Sequence, residues 1–88
     1  MNLKKETIEH IGNMDVKYIR VIQQKGLYDK KVYEGALNEV INKLDFYYDN
    51  GYGSQEIEGY IWYEDGSWSE RTEYDGAEWW VYKSCPEI

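Results

Sequence analysis

From Ile57 onward, apolar and polar residues exchange places at nearly every second position, in three runs separated by Asp65-Gly66 and Asp75-Gly76. A period of two belongs to strands, and Asp-Gly is a dipeptide favoured by tight type I′ hairpins, whose two central positions both need positive φ. The pattern predicts a three-stranded antiparallel meander over about residues 57–83. With two-residue turns, Tyr63 is expected opposite Trp68, Ile61 opposite Glu70, Arg71 opposite Trp80, and Ser69 opposite Tyr82. That register places Ile61, Tyr63, Trp68, Thr72, Tyr74, Trp79 and Val81 on one face. Tyr60, Trp62, Arg71, Glu73, Glu78, Trp80 and Tyr82 fall on the other. The first face holds the aliphatic residues and is expected to meet a helix. It also places Glu70 between Ile61 and Val81, with Lys83 as a nearby counter-charge. A slip of one residue would exchange the faces.

Upstream, Asp15 to Gln24 is a β-branched run that predicts a strand over about 15–24, although Val16, Ile19 and Ile22 also suit helical spacing. Thr7 to Ile11 is compatible with a strand paired back through a Gly12-Asn13 turn or with a helix. Tyr33, Leu37, Val40, Leu44 and Tyr47 recur at steps of three and four, which predicts an amphipathic helix over about 30–48, with Asp29 as its cap and Asn50-Gly51 as its stop. The expected architecture is a single α+β domain over 1–88, an antiparallel sheet with one main helix packed on one face.

Composition concentrates the chemistry at one end. Residues 45–88 hold twelve of the fifteen aromatic side chains and eleven of the seventeen acids, against only two bases, Arg71 and Lys83. Residues 1–44 carry eight bases and six acids, so the halves stand at +2 and −9, which together make the net −7. An acidic chain without clustered Lys and Arg is a poor direct ligand of nucleic acid or of anionic membranes. No apolar run reaches the ~18 residues of a membrane span, and Met1-Asn2-Leu3-Lys4-Lys5 lacks the apolar stretch of a secretion signal, so a cytoplasmic protein is expected.

Catalytic chemistry finds little footing. His10 is the lone histidine and Cys85 the lone cysteine, too few for a zinc site, and both read as structural or incidental. Glu64, Asp65, Glu70, Glu73 and Asp75 lack the spacing of a calcium loop or a glycosidase acid pair. Gly51-Tyr52-Gly53-Ser54 has no phosphate-loop lysine and reads as a linker. Neither enzyme activity nor a cofactor is expected.

Trp68-Ser-Glu-Arg-Thr-Glu-Tyr-Asp-Gly-Ala-Glu-Trp-Trp resembles the first two strands of WW domains, a likeness that implies recognition of proline-rich peptides. The third WW strand, with its second spaced tryptophan before a proline, is missing. The longer string from Asp65 to Trp80, with Cys85-Pro86-Glu87-Ile88 at the end, is similar to the C-terminal part of small proteins of tailed phages. In size, acidity and element content the chain resembles phage-encoded inhibitors of bacterial defence, of the anti-CRISPR or anti-restriction type. That resemblance implies a stoichiometric inhibitor working in the host cytoplasm.

The functional expectation is therefore a non-enzymatic binder. Tyr60, Trp62, Trp80 and Tyr82, around Arg71, would form a contact centre that the chain's own helix leaves uncovered. Asp65, Glu73, Asp75 and Glu78 would stand in for phosphates toward a basic, nucleic-acid-handling host protein. Two alternatives stay open: a homodimer formed through the aromatic face, and an immunity protein or antitoxin.

Overall fold

The computed structural model describes residues 2–24, 29–48, 56–74 and 77–85. Helix α1 (Leu3–Ile11) leads into strands β1 (Val16–Gln24) and β2 (Lys30–Gly35). A short helix α2 (Leu37–Val40) then runs on as a 3-10 turn, Ile41–Leu44. Strands β3 (Ile57–Tyr63), β4 (Trp68–Tyr74) and β5 (Ala77–Lys83) complete the chain as a meander. The five strands form one antiparallel sheet in the order β2-β1-β3-β4-β5. The α+β class, the 57–83 meander and the 15–24 strand match the expectation from sequence.

The 30–48 helix is corrected. Residues 30–35 are a strand, with Tyr33 the buried member of its alternation, so Asp29 precedes a strand and caps no helix. Gly35, at φ 142, and the extended Ala36 break the backbone before α2 starts. Leu37, Val40 and Leu44 do share the inward face of the short helical segment. Tyr33 reaches the same core from a strand, and Tyr48 takes the buried place that the spacing gave to the exposed Tyr47. The anticipated stop at Asn50-Gly51 and the linker Gly51–Ser54 lie outside the described residues.

Thr7 to Ile11 is helical, because Asn2 accepts from the Lys5 N–H as an N-cap and Leu3, Thr7 and Ile11 repeat every fourth residue on one buried face. Gly12, at φ 58, ends the helix and makes no hairpin.

Helix α1 and the α2 segment cover one face of the sheet. The core between the layers is built from Leu3, Ile11, Ile19, Val21, Val40, Leu44, Ile57 and Ile61, with Tyr33, Tyr48, Tyr63 and Trp80. Gly59 fits tightly within it: a Cβ there would lie 2.5 Å from the Arg20 carbonyl oxygen and 3.2 Å from the Val21 Cα, so only glycine lets β1 and β3 approach as they do.

The register of the first hairpin decides what lies on each face. Trp62 pairs with Trp68, Ile61 with Ser69 and Tyr60 with Glu70, one residue away from the two-residue expectation. The connection is a three-residue loop, Glu64 to Gly66. The Tyr63 N–H donates to the Ser67 carbonyl at 2.9 Å and the Gly66 N–H to the Tyr63 carbonyl at 3.2 Å. Gly66 takes φ 89, and Asp65 accepts from the Ser67 N–H, the side-chain turn characteristic of Asp. The second hairpin keeps the expected pairs Arg71–Trp80 and Ser69–Tyr82. Beyond the first turn, therefore, the two faces are exchanged as a block.

Candidate functional site

The exchange sends Ser69, Arg71, Glu78 and Trp80 to the helix side of the sheet, alongside Ile57, Ile61 and Tyr63, and all of these are buried. Trp80 was expected at the centre of an exposed contact surface. It is only 5% exposed, and its indole N–H donates to Thr7 Oγ1 at 3.0 Å. Arg71 was expected on the same surface. Its side chain is 1% exposed, and Nη2 donates to the Tyr48 hydroxyl at 3.0 Å and to Glu78 Oε1 at 3.1 Å. Nη1 lies 3.2 Å from Glu6, whose carboxylate also accepts from the Tyr48 hydroxyl. The guanidinium carbon is 5.1 Å from the centre of the Trp80 ring and 5.4 Å from that of Tyr48. Burial opposes the charge on Arg71, but Tyr48, Glu6 and Glu78 outweigh it and raise its pKa above the ordinary arginine value. Burial and the bond to Glu6 push the Tyr48 hydroxyl well above the usual tyrosine range.

Glu78 was expected to meet a partner's bases, and the fold uses it internally. Its carboxylate accepts from the Glu56 and Ile57 N–H groups, both at 2.9 Å, at the start of β3 where β4 does not pair. Of the remaining expected contact residues, Tyr82 is 46% exposed on the helix side, with its ring 5.8 Å from Tyr63. Glu73 is exposed near the end of β4 and Asp65 is exposed in the first turn, while Asp75 lies outside the described residues.

Tyr60 and Trp62 do stand on an open face, on the side of the sheet away from the helices. Their neighbours differ from those expected. Tyr18 is paired with Trp62 across β1 and β3, with ring centroids 5.7 Å apart, and Trp62 stacks on Tyr60 at 5.6 Å. Trp68 lies opposite Trp62 on β4, so Tyr18, Trp62 and Trp68 form a row of rings across three adjacent strands. Trp79 adds a further ring on β5, and Ile22, Val32 and Val81 fill positions on the same face. Tyr18, Tyr60, Trp62 and Trp79 are each about two-fifths exposed, which marks a surface of large rings with no layer of the described chain over it.

The charges on this open face are mostly matched. Arg20 and Glu34 pair across β1 and β2 at 3.4 Å, and Lys83 and Glu70 pair at 2.7 Å across β4 and β5. The Lys83 hydrogen bond lowers the Glu70 pKa. Glu70, awkward when assigned to the core, is thus partly exposed on the open face with the partner the sequence offered.

The Arg71–Glu6–Glu78–Tyr48 cluster and the meeting of His10 with Ser69 carry no signal in the sequence. His10 Nε2 lies 2.8 Å from Ser69 Oγ, which is also 2.7 Å from the Tyr63 hydroxyl, and the imidazole stacks on Trp80 at 6.2 Å. A histidine beside a serine can activate a nucleophile, but Ser69 is fully buried, and these groups tie α1 to the sheet. Fifty-nine residues separate the two in the chain, and no local motif signals their meeting.

No family model, curated protein or solved structure matches the chain. No helix among the described residues is long and apolar enough to cross a membrane.

Proposed function

We propose that this is a non-enzymatic binding protein that docks through the open face of its sheet on a basic, nucleic-acid-handling protein and inhibits it by occupying that surface. The observation that carries the reading is the uncovered row Tyr18–Trp62–Trp68 with Tyr60 and Trp79 beside it. Rings of this kind supply rigid contact area at interface centres. The net charge of −7 supports a basic partner, since it steers encounter over distances longer than any contact. Because the acids on the face itself are largely paired, contact is assigned to the rings and attraction to the chain as a whole. The kind of protein resembled in sequence, a phage-encoded inhibitor of bacterial defence, is consistent with such a binder.

The test is capture from a bacterial lysate followed by measurement with the purified partner. The double variant Trp62→Ala/Trp79→Ala should bind at least about tenfold more weakly than wild type while still unfolding cooperatively from a folded state. Unchanged affinity in a folded double variant defeats the reading.

A second reading is a homodimer formed through the same face, favoured by the local pairing of charges, which spares two copies a direct like-charge clash. Sedimentation separates the two: a dimer at micromolar concentration that Trp62→Ala dissociates supports self-association.

A further inference from the structure

The open face has a hollow where β3 and β4 part. Their pairing is confined to Tyr60–Trp62 against Trp68–Glu70. The next positions, Gly59 and Arg71, do not pair, and a cavity of about 290 Å³ opens there, lined by Arg20, Ile22, Glu58, Gly59, Tyr60 and Arg71. That is room for one long side chain, since a water takes up about 30 Å³ of liquid.

Most of these groups are already committed. Arg71 is 8% exposed as a residue but 1% exposed in its side chain, so it offers the cavity mainly its backbone while its guanidinium is held by Tyr48, Glu6 and Glu78. Arg20 is engaged by Glu34. Glu58 is exposed and has no ion pair among the described residues, and the Tyr60 ring beside it is steadied by stacking on Trp62. Among the charged lining residues, Arg20 is matched by Glu34 and the Arg71 guanidinium by Glu6 and Glu78 on the helix side, which leaves Glu58 as the lining charge without an ion pair among the described residues. A cation is therefore favoured there and an anion is not.

A free carboxylate, an aromatic face and the main chain of two diverging strands match one side chain best. A guanidinium is planar, stacks on a tyrosine ring, donates to a carboxylate in a charge-assisted pair, and has further N–H groups for main-chain carbonyls. We propose that this hollow is the anchor site for an arginine side chain of the docked partner. The proposal rests on the open face being the docking surface and names the chemistry that fixes the partner's register on it.

The test uses the whole chain and three small probes: N-acetyl-arginine methylamide and its norleucine and glutamate counterparts, each titrated into labelled protein and followed by amide chemical shifts. Arginine should shift Glu58, Gly59, Tyr60 and Arg71 progressively, and the other two probes should not. Glu58→Gln, an exposed isosteric change, should weaken arginine binding about tenfold through loss of the charged hydrogen bond. No response at these amides, an equal response to norleucine or glutamate, or undiminished binding by Glu58→Gln overturns the proposal. If Glu58→Gln keeps full affinity for the captured protein while Trp62→Ala/Trp79→Ala loses it, the arginine site falls and the docking face stands.

Discussion

Trp79 and Trp80 are adjacent in the chain and lie on opposite sides of the sheet. Trp79 is 41% exposed on the face without helices. Trp80 is 5% exposed under α1, bonded to Thr7, stacked on His10 and in contact with the Arg71 guanidinium. The same substitution at the two positions should therefore separate binding from folding. Trp80→Ala opens a cavity in a small core and strands the Thr7 hydroxyl, an expected loss of about 3 to 5 kcal/mol. Trp79→Ala should change stability by less than about 1 kcal/mol and weaken partner binding. Urea denaturation of both variants checks the order, and equal loss of stability at the two sites would contradict the placement of the strand.

Arg71 holds two buried or nearly buried carboxylates, Glu6 and Glu78. Removing it as Arg71→Met leaves both without their cation, at an expected cost of about 3 to 5 kcal/mol. Adding Glu78→Gln to that variant should recover only part of the loss, because it removes the unpaired buried charge while its single amide oxygen can replace only one of the two carboxylate oxygens that accept from the Glu56 and Ile57 N–H groups. A double-mutant cycle measured by denaturation reads the coupling directly, and additive effects would mean that the pair does not interact as the geometry requires.

The strands of the meander were legible because alternation survives any error of register: residues 57–63 follow a strict inward–outward pattern that the chain writes in full. Which way β4 and β5 face was not legible. It turns on a single extra residue in the first loop, accepted because Asp65 binds the Ser67 N–H and Gly66 tolerates positive φ, features that Asp-Gly shares with the shorter turn. That one residue moved Trp80, Arg71 and Glu78 from the expected contact surface into the core, and brought Trp68 and Trp79 out to join Tyr60 and Trp62. Tyr18 was hidden for another reason: its strand was foreseen, but β1 lies between β2 and β3, and no local signal fixes that neighbour. The helix over 30–48 failed because Tyr33 and Leu37 happen to be four apart while belonging to different elements.

Gly59 offers a check on the β1–β3 contact that is independent of any partner. Since the added methyl of Gly59→Ala would meet main-chain atoms of Arg20 and Val21, which cannot swing aside as a side chain can, the strands must separate locally. The expected cost is about 1 to 3 kcal/mol. Gly12→Ala provides a contrast, because its Cβ would meet nothing within 4 Å and its penalty comes from φ alone. Amide exchange should accelerate along β1 and β3 in the Gly59 variant and not in the Gly12 variant.

His10 makes the fold sensitive to mild acid. Burial lowers its pKa below the ordinary histidine value, with Arg71 acting in the same sense and Glu6 opposing it. Below about pH 6.5 the unfolded chain takes up a proton that the folded chain resists, so stability falls as pH drops through that value toward the folded pKa. The carboxylates Glu70 and Asp65, whose folded pKa values are also lowered, lose their contributions only in more acidic solution, as pH falls through the usual carboxylate range toward their lower folded values. Urea midpoints between pH 7.5 and 5.5 therefore isolate the histidine. Wild type should lose stability across this interval, and His10→Gln, which keeps a hydrogen-bonding group toward Ser69 but cannot be protonated, should show a flatter profile. An equal slope in the two proteins would mean that the proton is taken up elsewhere and that His10 is not held neutral between Ser69 and Trp80.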